Sequence, residues 1–532
     1  MGLVAWVPSW AAAERMHRLV IALTALIGLV GAAFLGAYFL FFSASTDRAA
    51  SLAPADTAVY VNVYLQPSAA QQMNLSSLIG RLPGFADTAT LDEKIDQLVQ
   101  NLLADSGIDY LEEIKPWLGN QVAIAAVPGA DDVLDADVVL LLAVKDRPAA
   151  EAALEDVSAA NALVFETRAY GGVDLQVAES TTYAFVEEML VVSDAAVPVE
   201  ATIDVAAGAP SLADEENFRR ATTSLPADHL ASVFVDLAGV AEATGGAAEL
   251  QGYSVASAVL VAEAEGLRLS GSAPFDAAAP GSPAALPPES SEPAVLVEWM
   301  PAGTQAGLVI FDLRQVLEDA EAAVAVTPEA AEVMSALDTI RAVAALGLGI
   351  DLDVDILPLL DHEVALAFGG IDGDLPSGQL LLRPTEAAAS EEAIGRVLAR
   401  LEETGASVRT EDGGAAEITV VSLDGLGEIA LATIEGIIVF GIGADDVQAA
   451  LEAHDSGATL AASDAYRRAF DLAGTRAGNE LFVNVPAVAD ALGASDDLSP
   501  DGRDILQQIE AFAFTTPSRN DRIEFHAVLT LR

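Results

Sequence analysis

The apolar positions of the chain predict short strands that are each followed by helix-forming sequence. Four runs rich in Val, Leu and Phe have this form, and they read VYVNV from Val59, VFVDL from Val233, VIFDL from Val309 and LFVNV from Leu481. Each run contains an Asn or Asp at which we expect the strand to end and the side chain to cap the following helix. The four predicted capping residues are Asn62, Asp236, Asp312 and Asn484.

Between these runs, strands often follow strands. QVAIAAV and DVVLLLAV predict neighbouring strands, and RPAAEAALEDVSAANA predicts the helix after them. Short turns between successive strands favour antiparallel pairing, so the predicted class is α+β, with mainly antiparallel sheets flanked by helices. Apolar and more polar residues alternate along the last strand, which predicts one face packed against the core and one face open to water. The predicted packed face carries Ile523, Phe525, Ala527, Leu529 and Leu531. The predicted wet face carries Glu524, His526, Val528 and Thr530.

The sequence also carries an apolar run long enough to cross a membrane. No charged residue occurs in residues 19–46, and residues 19–42 would form a helix of about 36 Å at about 1.5 Å per residue. Basic residues precede this run, which predicts a cytoplasmic N-terminus over 1–18, a single transmembrane helix over 19–42 and a tether over 43–51. A cleaved signal peptide is the alternative, and Met16 is an alternative start.

Small residues recur at every fourth position of this predicted helix. Gly28, Ala32 and Gly36 would share one face, where a second helix can approach closely. This face predicts a homodimer contact within the lipid bilayer.

Two distant stretches of the chain are nearly the same. SGIDYLEEIKPWLGNQVAIA begins at Ser106, and LGIDLDVDILPLLDHEVALA begins at Leu348, at a constant offset of 242. Nine of the twenty positions are identical, where composition alone would give about one or two. Residues 218–220 and 466–468 form a second similar pair, at an offset of 248 and in the same order. The sequence therefore predicts two homologous domains in tandem.

The predicted domains are separated by sequence of a different kind. Residues 276–293 read DAAAPGSPAALPPESSEP, which has no apolar periodicity and is typical of a linker. We therefore predict a first α+β domain over 52–275, a Pro/Ala/Ser-rich linker over 276–293 and a second α+β domain over 294–532.

The order of these features resembles that of a bacterial family. The predicted span is followed by a strand opening at Pro54–Asp56, by an acidic helical region and by the motif IKPWLG at Ile114–Gly119, which leads into VAIA. This arrangement resembles the family catalogued as domain of unknown function 3352, over most of the chain after the span. The resemblance implies a membrane-attached envelope protein and no catalytic residues. The second copy departs from the motif at Leu357, Leu359 and Asp361.

The charge balance excludes one class of partner. Asp and Glu number 80 against 25 Lys and Arg, which gives a net charge of −55. Because a surface this acidic repels phosphate backbones, we expect no nucleic-acid partner. The chain has no cysteine, which excludes disulfides, thiolate metal sites and cysteine nucleophiles and leaves the redox compartment open.

No motif supplies a recognisable catalytic, cofactor-binding or metal site. The five histidines are scattered singly, no HExxH or Walker loop occurs, and GYSVA at Gly252 lacks the last glycine of a serine-hydrolase elbow. Asp351, Asp353 and Asp355 have the opening spacing of an EF-hand loop, but Ile356 stands where that loop needs glycine. We therefore predict no catalytic residue, no cofactor and no metal.

Two polar features leave alternatives open. The acidic turns at 131–137 and 372–374 would suit calcium, although solvated loops are the expectation in so acidic a chain. The arginine pairs at 219–220 and 467–468 recur in both copies and would suit an anion, although we expect them to pair with acids of their own helices.

These observations favour a non-enzymatic binding or scaffold protein, held at the outer face of the bacterial cell membrane. An envelope hydrolase with dispersed carboxylates is one alternative, which would be favoured by two carboxylates, one from each copy, that converge in a pocket with raised pKa values. A carrier of an apolar ligand is another, which a large dry cavity beneath a sheet would favour. The predicted partners are the lipid bilayer and an envelope protein or apolar ligand.

Overall fold

The structure of the protein is a computed structural model. It describes residues 47–82, 96, 100, 109–127, 137–160, 163–223, 225–243, 253–275, 293–323, 341, 342, 345, 349–372, 375–423, 427–492, 505–519 and 521–532. These residues form two compact units, the first ending at Pro274 and the second beginning at Phe275. The predicted α+β class, with antiparallel sheet flanked by helices, is confirmed.

The first unit is an antiparallel sheet with helices on both faces. Its strands are β1 (Val59–Tyr64), β2 (Leu118–Val127), β3 (Asp137–Val144), β4 (Glu166–Tyr170), β5 (Val173–Ala178), β6 (Thr181–Val186), β7 (Met189–Ser193), β8 (Ala231–Val235), β9 (Ala256–Ala262) and β10 (Gly266–Pro274). Its helices are α1 (Ala69–Ile79), α2 (Arg147–Ala160), α3 (Ala196–Ala206), α4 (Glu216–Thr223) and α5 (Leu237–Ala243). The strand order is β10-β9-β8-β1-β2-β3-β7-β6-β5-β4.

The second unit has the same plan. Its strands are β11 (Ala306–Phe311), β12 (Glu363–Asp372), β13 (Leu375–Arg383), β14 (Ser407–Asp412), β15 (Glu417–Leu423), β16 (Gly427–Ile434), β17 (Ile437–Gly441), β18 (Asn479–Asn484), β19 (Ile509–Thr516), β20 (Ser518–Arg519) and β21 (Arg522–Leu531). Its helices are α6 (Leu313–Ala323), α7 (Ala387–Glu403), α8 (Ala444–Ser456), α9 (Asp464–Ala473) and α10 (Val485–Leu492). The order β21-β19-β18-β11-β12-β13-β17-β16-β15-β14 repeats that of the first unit, and β20 pairs with β21.

The central strands are apolar on both faces because helices cover both faces of each sheet. In β3, Val139 and Leu141 belong to the core beneath α3 and α4, whereas Leu140 and Leu142 belong to the core beneath α2. In the second unit α8 and α9 cover one sheet face, and α7 covers part of the other.

Each unit begins with a short buried segment before its first strand. Residues 49–53 have this place in the first unit and residues 294–300 in the second. A turn follows in both, at Pro54–Thr57 and Pro301–Thr304, where the threonine hydroxyl donates to the proline carbonyl at 2.7 Å. The end of the tether predicted over 43–51 overlaps this segment, in which Ala49 and Ala50 are buried.

One of the four predicted helix caps is wrong. Asp236 accepts from the Gly239 N–H at 3.0 Å, and Asn484 and Asp312 likewise accept from the first turns of the helices after them. Asn62 instead lies inside β1, where its buried Oδ1 accepts from Gln121 Nε2 at 2.8 Å. Strand β1 continues past it because β2 and β8 pair with β1 on its two sides.

The predicted wet face of the last strand is also wrong. Val528 and Thr530 are at most 1% exposed, because α9 packs on this side of the sheet. Ile523 and Phe525, predicted to pack, are only half-buried.

Within the part of the chain that the structure describes, no helix is long and apolar enough to cross a membrane. The predicted span over 19–42, with Gly28, Ala32 and Gly36, lies outside that part, and so do linker residues 276–292.

Candidate functional site

The sheet face that α7 covers only in part carries an open apolar groove. The groove crosses β11, β12, β13, β16, β17 and β18 and has a volume of about 590 Å³. The apolar side chains that shape it include Leu308, Leu366, Phe368, Ile429, Phe440 and Ile442. A groove of this size and lining is typical of sites that take a small apolar molecule.

The alternation of β12 explains why these side chains meet. Ala365 and Ala367 face the core beneath α8 and α9, so Val364 and Leu366 face the opposite side. Val364 packs in the core beneath α7 and is 5% exposed, whereas Leu366 is 50% exposed. The groove therefore begins where the cover provided by α7 ends.

The groove contains little polar character. Glu428 is the charged residue in its lining, and Arg409 Nη1 lies 2.9 Å from the Glu428 carboxylate. Because this ion pair is internal to the unit, the groove offers no uncompensated charge to a ligand.

The corresponding side of the first sheet has a smaller cavity. There α2 and the turn at Tyr110–Ile114 leave an apolar cavity of about 50 Å³, which Trp117, Leu142 and Tyr183 line. Trp117 is 6% exposed and donates from Nε1 to the Glu113 carbonyl at 2.5 Å, which fixes this turn against the core. The cavity is too small for a ligand of ordinary size.

Two buried carboxylates in the second unit form the other notable polar cluster. Glu363 at the start of β12 is 0% exposed, and Glu480 in β18 is 2% exposed. Glu363 Oε1 accepts from the Leu296 N–H at 2.7 Å, and Arg383 Nη2 lies 2.8 Å from Oε2. The Tyr466 hydroxyl donates to Glu480 Oε2.

Burial perturbs both of these acids. Burial raises the pKa of Glu480 to about 7, although the Tyr466 hydrogen bond and the charge of Arg476 act against this shift. Burial also raises the pKa of Glu363, against the backbone hydrogen bond from Leu296 and the charge of Arg383. With so little exposure, neither carboxylate can contact a substrate in solution.

The first unit has a related cluster at its own beginning. Asp47 Oδ1 accepts from the Tyr60 hydroxyl and from Gln121 Nε2, both at 2.7 Å, and from the Ala50 N–H at 3.0 Å. Burial raises the pKa of Asp47. Gln121 and Glu363 occupy equivalent positions at the offset of 242, so both units fix their first buried segment through this position.

The sequence profile described as protein of unknown function (DUF3352) matches residues 19–531. The chain belongs to this family. The prediction drawn from the IKPWLG motif and its surroundings is confirmed. No curated protein matches the sequence of this DUF3352 chain.

Among solved structures, the chain is similar to crystal forms I, IV and III of TP0453. The identities are 12%, 10% and 12%, over 43%, 42% and 44% of this chain and 79%, 79% and 82% of those chains. The TM-score is 0.25 in each case, which is too low to support an argument about fold or function.

The candidate residues of the sequence have structural partners. Asp355, the third aspartate of the EF-hand-like run, is 0% exposed and pairs with Arg396 and Arg400 of α7 at 3.3 and 2.7 Å. Within the described ranges, no three acidic or histidine side chains are grouped as a metal site requires. Most of the acidic turn at 131–137 lies outside those ranges.

The repeated arginine pairs do not form a common anion site. Arg467 pairs with Asp464 on its own helix, as expected, whereas Arg468 pairs with Glu510 of β19. In the first unit, Arg220 donates to the Asn217 side chain. The groove and the Glu363–Glu480 pair were not predicted from the sequence.

Proposed function

We propose that this DUF3352 protein is a non-enzymatic binding protein of the bacterial cell envelope whose second unit takes an uncharged apolar ligand in the groove. The single observation that carries this proposal is the exposure of the groove's large apolar side chains. Leu366, Ile429 and Ile442 are 50%, 45% and 44% exposed. Covering three such half-exposed side chains would contribute about 2 to 4 kcal/mol to binding.

The charge of the protein supports an uncharged ligand. The groove's Glu428 is already paired with Arg409, so a cationic ligand would have to displace the arginine. An anionic ligand would approach a chain of net charge −55 and would find no basic residue among the groove's described lining.

We further propose that the two units are diverged copies of one domain, carried outside the membrane by a helix over residues 19–42. The common strand order, the two Pro-x-x-Thr turns and the equivalence of Gln121 and Glu363 support duplication. The charge-free run over 19–42 and the basic residues before it support the anchor and its orientation.

The hydrolase alternative has less support. The two acids of raised pKa, Glu363 and Glu480, come together in one unit but are enclosed by protein. A general acid or base needs a hydrogen-bonding path to its substrate, and this pair instead bonds to the backbone and to neighbouring side chains.

A matched pair of fluorescent probes tests the proposal. N-phenyl-1-naphthylamine is uncharged, and 1-anilinonaphthalene-8-sulfonate has the same rings with an added sulfonate. We expect the purified full chain to bind the uncharged probe at least about tenfold more tightly, because the groove cannot compensate a sulfonate.

Two substitutions locate the probe. Leu366→Asp places a charge in the groove and should abolish saturable binding, whereas Leu111→Asp alters a leucine of similar exposure (44%) in the first unit and should leave it unchanged. Equal binding by the Leu366→Asp variant and the unaltered protein would contradict the proposal.

A further inference from the structure

The buried segment that opens the second unit rests on the two buried carboxylates. We define the leading segment as Pro293–Met300. The Leu296 N–H donates to Glu363, and Ala294 contributes a backbone hydrogen bond to Glu480. Pro293 forms an isolated bridge with Ala477, three residues before Glu480. The leading segment is therefore attached to the sheet through two acids at its N-terminal end.

The far end of the leading segment is packed against an aromatic ring. Trp299 is 1% exposed and stacks on His454 of α8 at a centroid distance of 3.6 Å and an interplanar angle of 7°. His454 Nδ1 lies 3.2 Å from the Glu298 carbonyl, and Nε2 lies 3.9 Å from Glu435. Trp299 therefore reports on whether the leading segment is seated.

The other charged and titratable groups around the two acids come from several elements. Tyr466 of α9 bonds to Glu480, and the Arg476 guanidinium lies 5.1 Å above the Tyr466 ring. Arg383 of β13 pairs with Glu363, and Glu363 itself faces Glu480. Two arginine charges thus face two carboxylates, and both carboxylates are buried beneath the leading segment.

Ionisation of both acids would place two negative charges in the same dry space. A buried carboxylate is stable only if hydrogen bonds and opposite charges replace the water it has lost. The backbone N–H groups of the leading segment favour the ionised form of both acids, but burial outweighs them and raises both pKa values. Because the leading segment is part of what buries the two carboxylates, moving it would expose them to water. In the protonated state the acids need no such water.

We propose that Glu363 and Glu480 form a proton-controlled latch, which holds the leading segment on the second unit when Glu480 is protonated and loosens it when Glu480 is ionised. This device does not depend on the groove or on its ligand. It makes the N-terminal end of the second unit sensitive to pH in the neutral range.

The test uses the full chain with Trp299 as its remaining tryptophan, after Trp6→Phe, Trp10→Phe and Trp117→Phe. Acrylamide is an uncharged quencher, so its quenching constant reports access to Trp299. We expect this constant to rise by about threefold between about pH 5.5 and about pH 8.5, with a midpoint near the Glu480 pKa of about 7.

Four further substitutions separate the latch from other titrations. In this background, Glu480→Gln should keep quenching low at every pH, whereas Glu510→Gln, at a glutamate paired with Arg468, should keep the transition. Tyr466→Phe removes a hydrogen bond that favours ionised Glu480 and should move the midpoint to higher pH. His454→Gln should retain the transition, which excludes protonation of the stacked ring as its cause.

Two results would overturn the latch. One is a quenching constant that does not change with pH in the protein with Glu480. The other is a transition that persists unchanged in the Glu480→Gln or Tyr466→Phe variant.

Discussion

Replacing Glu480 by Gln should make the second unit less sensitive to alkaline pH. Burial raises the pKa of Glu480 from its ordinary value of 4.5 to about 7. Because the folded-state pKa is the higher one, the folded protein binds the proton more tightly than the unfolded chain does. The resulting stabilisation is complete below about pH 4.5 and is lost as the pH rises through about 7. Glutamine resembles the protonated acid and cannot ionise.

The size of the effect follows from the two pKa values. A difference of about 2.5 units at about 1.36 kcal/mol per unit corresponds to about 3 kcal/mol of unfolding free energy. About 2 to 3 kcal/mol of this falls between about pH 5 and about pH 8. We expect ionisation of Glu480 alone to lower the unfolding free energy of the unaltered second unit by this amount between these two pH values. The Glu480→Gln variant should not show this loss.

Urea unfolding of the full chain, at several pH values, measures this difference. In the Trp6→Phe, Trp10→Phe, Trp117→Phe background, Trp299 fluorescence follows the second unit, and each variant is compared with itself at the two ends of the pH range. All other charges are shared, so repulsion within a chain of net charge −55 cancels in the comparison. Equal losses of unfolding free energy in the two proteins as the pH rises, within about 0.5 kcal/mol, would contradict this effect of Glu480.

Two further predictions concern the structural roles of single residues. Gly378→Ala should lower the unfolding free energy by more than about 2 kcal/mol, because the new Cβ would lie 2.3 Å from a carbonyl oxygen of β12. Gly395→Ala should raise the unfolding free energy by about 0.5 to 1 kcal/mol, because Gly395 lies on α7 with open space around it. Thermal unfolding of both variants checks this contrast, and equal effects would contradict it. Asp47→Ala should destabilise the first unit by about 2 kcal/mol, because Tyr60 loses its acceptor and Gln121 loses one of its two. Asp47→Asn keeps an acceptor oxygen and should cost less. Urea unfolding distinguishes these variants, and similar losses in both would contradict this role of Asp47.

The features that the sequence predicted correctly are those set by local patterns. The helix caps at Asp236, Asp312 and Asn484 depend on a side chain and the turn after it, and all three are present. The prediction of a cap at Asn62 was wrong because pairing with β2 and β8 extends β1 past this residue. The prediction of a wet face on the last strand was wrong because both faces carry apolar side chains, and α9 packs on the face that was expected to meet water.

The groove and the buried acids depend on information that one sequence does not carry. Leu366 and Val364 lie on the same face of β12, and Leu366 is the more exposed because α7 does not extend over it. No local sequence pattern specifies where the cover by α7 ends. Glu363 stands where the similar stretch of the first unit has Gln121, and among 80 acidic residues it resembles one more surface acid. Its burial follows from the leading segment that covers it.

The most direct test of the proposed function is to see an apolar ligand in the groove. Crystals of the protein grown with 12-bromododecan-1-ol, an uncharged chain with an anomalous scatterer, would locate the bromine. We predict an anomalous peak within about 4 Å of the groove side chains Leu366, Phe440 or Ile442. Bromine peaks elsewhere on the molecule, with none in the groove, would contradict the account.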